Sequence, residues 1–363
     1  MTDTLSDTIQ NNLDKIDFGG LDTIAAGLDG GDLGLFGGES FGGKIGKILS
    51  GEYAADFPNM FGALFSLIAG VFADILPFII IIVAISILSG FIQSLRPDSD
   101  SGGVRDIVHF AAFAAVVTIV LYAVADLTAM SGRTLGTLKA QMDVLFPLLL
   151  TLMAAVGGAA SVSVYQPAIV MLSSGVMQIF TYVVMPIFVI TLVFSIVGNL
   201  SPSAKYDKFV AFFTSAYKWL LGLTFTVFLG FLSIQGITAG AHDGISVRAA
   251  KFTMSSYIPF LGGYLSQGFD LIMASSILIK NAIGVAGLYL LLGVMLTPIL
   301  KIAVFILGLK LAAAVTQPLA DARISNFLSG VTKAFTMLLA VLIGAAFMYF
   351  LTIGLVIVTG NVL

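Results

Sequence analysis

The side chains best suited to chemistry are polar groups placed where polar groups are costly. Asp270, Lys280, Asn281, Lys301, Lys310 and Gln317 lie within residues 236–323, a stretch otherwise apolar enough for lipid, and Gln235 stands at its threshold. An ionisable group at membrane depth costs a few kcal/mol or more, so such groups face a protein interior or a water-filled path. Two roles follow for Gln235, Asp270, Lys280, Asn281, Lys301 and Gln317: hydrogen-bonding glue between helices, or the lining of a hydrated route. Lys280 and Asn281 fall about ten residues into a predicted span, near its centre, where a lysine cannot snorkel and needs an internal partner or water. Asp270 is the nearest acid in sequence, yet on one straight helix it stands about 15 Å from Lys280. Lys301 and Lys310 fall on roughly opposite faces of a helix, so one is expected at an interface and the other toward a core. Arg248 and Lys251, at i and i+3, are expected to anchor a polar connector at lipid headgroups.

No catalytic constellation accompanies this set, and neither an enzymatic activity nor a cofactor is expected. The only histidines, His109 and His242, sit in unrelated contexts, and no nucleophile-elbow sequence is present. The side chains of the adjacent His242 and Asp243 diverge on a helix or a strand. There is no GxxxxGK[ST] phosphate loop, and GGESFGG at 37–43 lacks the strand and helix that a dinucleotide loop needs. Without cysteine there is no thiolate, disulfide or Cys-ligated metal, and two distant histidines make no metal site.

The elements that must position these groups are membrane helices. Of the 363 residues 58 % are hydrophobic and 10 % charged, and mean hydropathy is +1.05, against roughly 45–50 % apolar and 25 % charged in a soluble domain. Charge-free apolar runs at 75–92, 171–197 and 334–358 reach the ~18 residues that mark a spanning helix. Their continuity excludes a transmembrane barrel, whose strands alternate. The predicted fold is all-α, a polytopic bundle of about seven spans, six or eight being the alternatives, with Pro/Gly-broken or re-entrant segments and interfacial amphipathic helices.

Two regions are expected. Residues 1–56 form an acidic, Gly-rich soluble arm and residues 57–363 the transmembrane domain. Residues 1–60 hold 10 of the 20 acids and 3 of the 17 bases, leaving 14 bases against 10 acids beyond, an excess that serves membrane orientation and implies no nucleic acid. Leu5, Ile9, Leu13 and Ile16 line one face of a short helix, while the twelve glycines of 19–51 read as flexible linker. The start, MTDTLSDTIQNNLD, has neither a basic n-region nor an apolar h-region, so no secretory signal is expected in it.

Along the membrane region, spans are expected near 75–95 and 107–125. An interfacial amphipathic helix follows at 131–143, with Leu135, Leu138, Met142 and Leu145 on one face. Residues 144–160 read as a short span or re-entrant segment closed by Gly157 and Gly158. Further spans are expected at 167–200, 209–234, 271–296, after Pro298, and at 331–358. Pro147 and Pro186 share with Pro259 and Pro298 an offset of 112 residues, as do Lys139 and Lys251. That offset reads as a weak repeat of 131–208 in 244–320, of the kind transporter cores carry, or as prolines recurring by chance.

One ordered set of motifs resembles a known family. SIQG at 233–236, DGI at 243–245 with Arg248 and Lys251, IPxxGG at 258–263, Asp270, LxKN at 278–281, Pro298 with Lys301, and Gln317-Pro318 together resemble stage III sporulation protein AE of endospore-forming bacteria. The similarity extends more weakly over about 58–362. The resemblance implies a non-enzymatic membrane subunit of the sporulation channel, a secretion-like complex linking mother cell and forespore and required for late forespore development. It implies residence in the mother-cell membrane surrounding the forespore, the acidic arm facing the intermembrane space. Implied partners are other membrane and ring-forming subunits, a separate ATPase subunit and the lipid bilayer, with a homo-oligomer a further option. The alternative from another class is a stand-alone secondary transporter or permease whose site is the Asp270, Lys280 and Asn281 region.

Overall fold

The computed structural model describes residues 9, 13, 15–29, 39–52, 57–94, 103–200, 206–239, 262–317 and 322–359. Among them every regular element is helical. Six helical segments are long and apolar enough to cross a membrane: Gly62–Phe91, Phe110–Ala155, Ala159–Gly198, Lys208–Ile234, Leu271–Thr316 and Arg323–Val358. Six among the described residues is close to the seven expected and equals the lower alternative, because two of the expected breaks are absent. Residues 144–155 continue the preceding helix, and Pro298 does not divide the helix that contains it.

We label the helices α1 (Gly19–Asp29), α2 (Phe41–Ser50), α3 (Phe57–Ser94), α4 (Gly103–Ala155), α5 (Ala159–Val170), α6 (Met185–Leu200), α7 (Asp207–Ala239), α8 (Gly262–Thr316) and α9 (Ala322–Val358). Pro77, Pro147, Pro167 and Pro298 all lie inside helices. A proline deletes one main-chain hydrogen bond, and in a bundle of apolar helices neighbouring segments hold the chain straight enough to continue. With 53 and 55 residues, α4 and α8 are about 80 Å long against a hydrocarbon core of about 30 Å. Each reaches well beyond one bilayer.

Helix α9 is the centre of the bundle. Two of its rows recur every seven residues, Ile324, Val331, Leu338, Ala345, Thr352 and Leu328, Phe335, Leu342, Tyr349, Val356, and every member is buried. That is the seven-residue spacing at which one helix presents a continuous apolar seam to its neighbours. Its main partner is α8, which runs antiparallel: Gly284 meets Ile357, Phe305 stacks edge-on to Phe335 at 5.0 Å, and the Ser325 hydroxyl donates to the Ala313 carbonyl at 3.2 Å. Helix α4 lies along the pair, through Phe113 on Phe327 and Phe146 on Tyr349. Helix α3 closes on α8 where Gly308 admits Ile79; a Cβ there would sit 2.1 Å from the isoleucine Cδ1. Phe188 of α6 packs on Phe335, and Phe225 of α7 lies over Gly344.

The turn between α4 and α5 has a local cause. Gly157 takes φ 85°, its N–H donates to Ala154 O and the Gly158 N–H to Met153 O, both at 3.0 Å. This paired closure with a left-handed residue is the Schellman arrangement, which needs glycine. From α5 the chain continues to Leu200 through two wide, π-helical segments, Met171–Val176 and Phe180–Val184. Leu172, Val176, Phe180, Val184, Phe188, Leu192 and Ile196 are buried at every fourth position.

The glycine-rich tail is more ordered than its composition implies. Leu21, Ala25, Phe41 and Ile45 are buried within the main core, so α1 and α2 are docked helices where flexible linker was expected. Asp22 ties them together by accepting from the Phe41 N–H at 2.6 Å, and the Phe18 and Phe41 rings lie 5.7 Å apart. The Ser40 hydroxyl caps α2 by accepting from Gly43 N, and Gly51 closes it at φ 76°. Gly20 lets α1 approach Val144 of α4. The stretch 131–143 shows the same pattern: Leu135, Leu138 and Met142 are wholly buried, so its apolar face packs into the bundle rather than lying along lipid headgroups.

Candidate functional site

Lys280 is the largest polar commitment in the core. It has no exposed surface, and its ammonium donates to the carbonyls of Ile357, at 3.2 Å, and of Thr359. These oxygens end α9, where the last turn of any helix leaves carbonyls without main-chain donors and the helix dipole favours a cation. Gly284, one turn further along α8, admits Ile357, since a Cβ there would fall 2.4 Å from its Cγ1. On the other side the Tyr165 hydroxyl pairs with Thr359 Oγ1 at 2.9 Å, which itself donates to Leu355 O. Lys280 thus sits level with the end of α9 rather than midway along a span, and the arrangement joins α5, α8 and α9.

A second polar region lies in the core beside it. Gln141 Nε2 donates to the Gly287 carbonyl at 3.0 Å, while Gln141 Oε1, Asn281 Oδ1 and the Tyr349 hydroxyl are enclosed with no hydrogen-bond partner among the described residues. Gly287 allows this approach, its missing Cβ leaving room for Leu145. Elsewhere the Tyr217 hydroxyl of α7 donates to Met337 O of α9.

A groove of about 680 Å³ opens between α6, α7, α8 and α9. Lys218 of α7, Lys310 of α8 and Lys333 of α9 line it, together with Thr214, Asn326, Ser329 and further hydroxyl groups. No acid lines it among the described residues. All three lysines are exposed, and each belongs to a segment apolar enough to span a membrane. The hydroxyls of Thr191, Thr332 and Thr336 donate to the carbonyls of Ile187, Leu328 and Thr332 in their own helices.

The residues expected to carry function are scattered by the fold rather than gathered. Lys280 and Asn281 are as described. Lys301 is half-buried and Lys310 exposed, as their angular separation requires. Gln317 is exposed at the end of α8, its N–H donating to Ala313 O at 3.0 Å. Asp270 lies on the same continuous helix as Lys280, ten residues away, about 15 Å by helical rise. Gln235 lies on α7; its side chain and that of Asp270 are outside the described residues, as are Arg248 and Lys251 entirely. Tyr165, Gln141, Tyr349, Lys218 and Lys333 carry no expectation from the sequence, and Lys310 is expected only at an interface or a core, not beside the other two. Their signal is weak, because tyrosine and glutamine are unremarkable in apolar helices and the three lysines come from three distant segments. Among the described residues no group of acids and histidines could hold a metal ion.

The family model for stage III sporulation protein AE matches residues 40–360, which takes in α2 to α9 and leaves α1 outside. Stage III sporulation protein AE of Bacillus subtilis (strain 168) is 31 % identical over 229 residues, covering 63 % of this chain and 57 % of the relative. The chain therefore spans little more than half the length of that curated relative. No solved structure matches it. The chain belongs to the stage III sporulation protein AE family, and with it to the sporulation proteins.

Proposed function

We propose that this family member is a non-enzymatic integral membrane subunit of a channel complex, secretion-like in kind, that links mother cell and forespore and is required for late forespore development. It would reside in the mother-cell membrane around the forespore, beside other membrane and ring-forming subunits and a separate ATPase subunit. The carrying observation is the family match over 40–360, which coincides with nearly the whole packed body. The architecture supports a frame: α9 packs against α4, α6, α7 and α8, and its end is locked by Lys280. A stand-alone transporter with its site at Asp270, Lys280 and Asn281 has less support, because the Lys280 ammonium is occupied by α9 carbonyls.

The test is co-isolation from sporulating cells. The tagged chain is expected to bring down membrane, ring-forming and ATPase subunits, and, purified alone into liposomes, to move no solute. Solute movement by the chain alone, with no partner co-isolated, would overturn the reading.

A further inference from the structure

We propose that the groove between α6, α7, α8 and α9 is a binding site for a phosphate-bearing anion, held by the ammonium groups of Lys218, Lys310 and Lys333. Three separate helices each deliver one lysine to one cavity of about 680 Å³. None of the three makes an ion pair or hydrogen bond with the described residues. The acids nearest in sequence to Lys218 and Lys333 are Asp207 and Asp321, eleven and twelve residues away.

Three like charges converging without an acid repel one another, and each costs free energy in a segment that meets lipid. Lys280 shows what this chain does when it supplies the compensation itself. In the groove no such compensation is present among the described residues, and a bound anion would supply it.

The lining also fits the chemistry. Thr214, Asn326 and Ser329 add neutral donors with no partner among the described residues, and a tetrahedral phosphate accepts several donors at once. Basic pockets between membrane helices take lipid headgroups by the same physics. A phospholipid headgroup and a free phosphate share this recognition, and the experiment separates them. The inference stands on the groove alone, independent of the complex proposed above.

The purified full chain is compared in two arms. In the first it is reconstituted in bilayers of phosphatidylcholine with or without phosphatidylglycerol, and the lipid retained after transfer to neutral detergent is weighed by native mass spectrometry. In the second, inorganic phosphate is titrated into the delipidated chain at constant ionic strength, with chloride as control and Tm as readout. Selective retention of phosphatidylglycerol identifies a headgroup site; a phosphate-specific rise in Tm identifies a soluble anion. In whichever arm responds, Lys218→Gln, Lys310→Gln and Lys333→Gln should each weaken binding about fivefold, whereas Lys139→Gln, beside its partner Asp143 and outside the groove, should leave it unchanged. Absence of both responses in the unaltered chain overturns the proposal without recourse to any variant. Selectivity that survives loss of all three lysines overturns it as well.

Discussion

At the C-terminal end of α9 one lysine is wholly enclosed and its ammonium is consumed by main-chain carbonyls, whereas nearer the N-terminal end three lysines share an open groove lined by no described acid. The residue type is the same and the helix is the same. What differs is where the compensating negative charge resides. At Lys280 it includes the partial charge of a helix terminus, supplied by the fold and present as soon as the chain is folded. In the groove it is absent from the described residues, so the site is poised for a partner. Burial marks the lysine that builds the protein, and exposure marks those that can do something else.

That contrast can be broken most severely at Lys280. Lys280→Ala leaves two carbonyls at the end of α9 without a donor in a closed site, and we expect a loss of about 3 kcal/mol, read as a fall in Tm of the detergent-solubilised chain. A change within about 0.5 kcal/mol would show that the cap contributes nothing net. Gly344→Leu comes next. A Cβ at Gly344 would lie 2.2 Å from the Phe225 ring, and a leucine there must push that half-buried ring aside, so about 2 kcal/mol should be lost. Because α7 also carries Lys218, the same variant should weaken anion retention, joining the two ends of the comparison.

The three groove lysines should behave in the opposite sense. Replacing all of them with glutamine removes their mutual repulsion, so it should leave Tm of the anion-free chain unchanged or higher while abolishing anion selectivity. A large fall in Tm in the absence of any anion would erase the distinction between the two regions.

The smallest effect is expected at the docked tail. Glu39 is held below the usual carboxylate range by its hydrogen bond from Lys47. A lowered pKa contributes stability above the ordinary glutamate value, and that contribution is lost as pH falls through the folded value. Protection factors of the α2 amides, taken relative to the intrinsic exchange rate at each pH, should therefore fall slightly on acidification below the usual glutamate range, and Lys47→Gln should remove the dependence.

The membrane bundle was legible because continuous apolar runs of that length suit little besides lipid, and Lys280 was legible because its cost is plain from sequence. Its partners were not, since a pair of terminal carbonyls has no residue code. The lysine groove was hidden for another reason: Lys218, Lys310 and Lys333 are separated by 92 and 23 residues, and only the packing of α7 and α8 around α9 makes them neighbours. Pro298 misled as punctuation, because the rule that proline ends a helix presumes solvent ready to take the freed carbonyl. In the glycine-rich tail, average composition concealed Leu21, Ala25, Phe41 and Ile45, which are few but correctly spaced. The resemblance was placed on the membrane region, and the family match begins at residue 40, adding α2 to the matched body.

The two wide segments ahead of α6 carry a consequence for how this chain tolerates changes in length. Side chains meeting the bundle there recur every fourth residue, although an ordinary helix repeats every 3.6, so each step overshoots by about 40°. The wide turns absorb that overshoot by holding one residue more than the geometry around them. Removing a single residue within Met171–Val176 would close a wide turn into an ordinary one and leave Phe188 and Leu192 facing inward. The same deletion inside Met185–Leu200 has no such slack to draw on, and it swings every later side chain by about 100°.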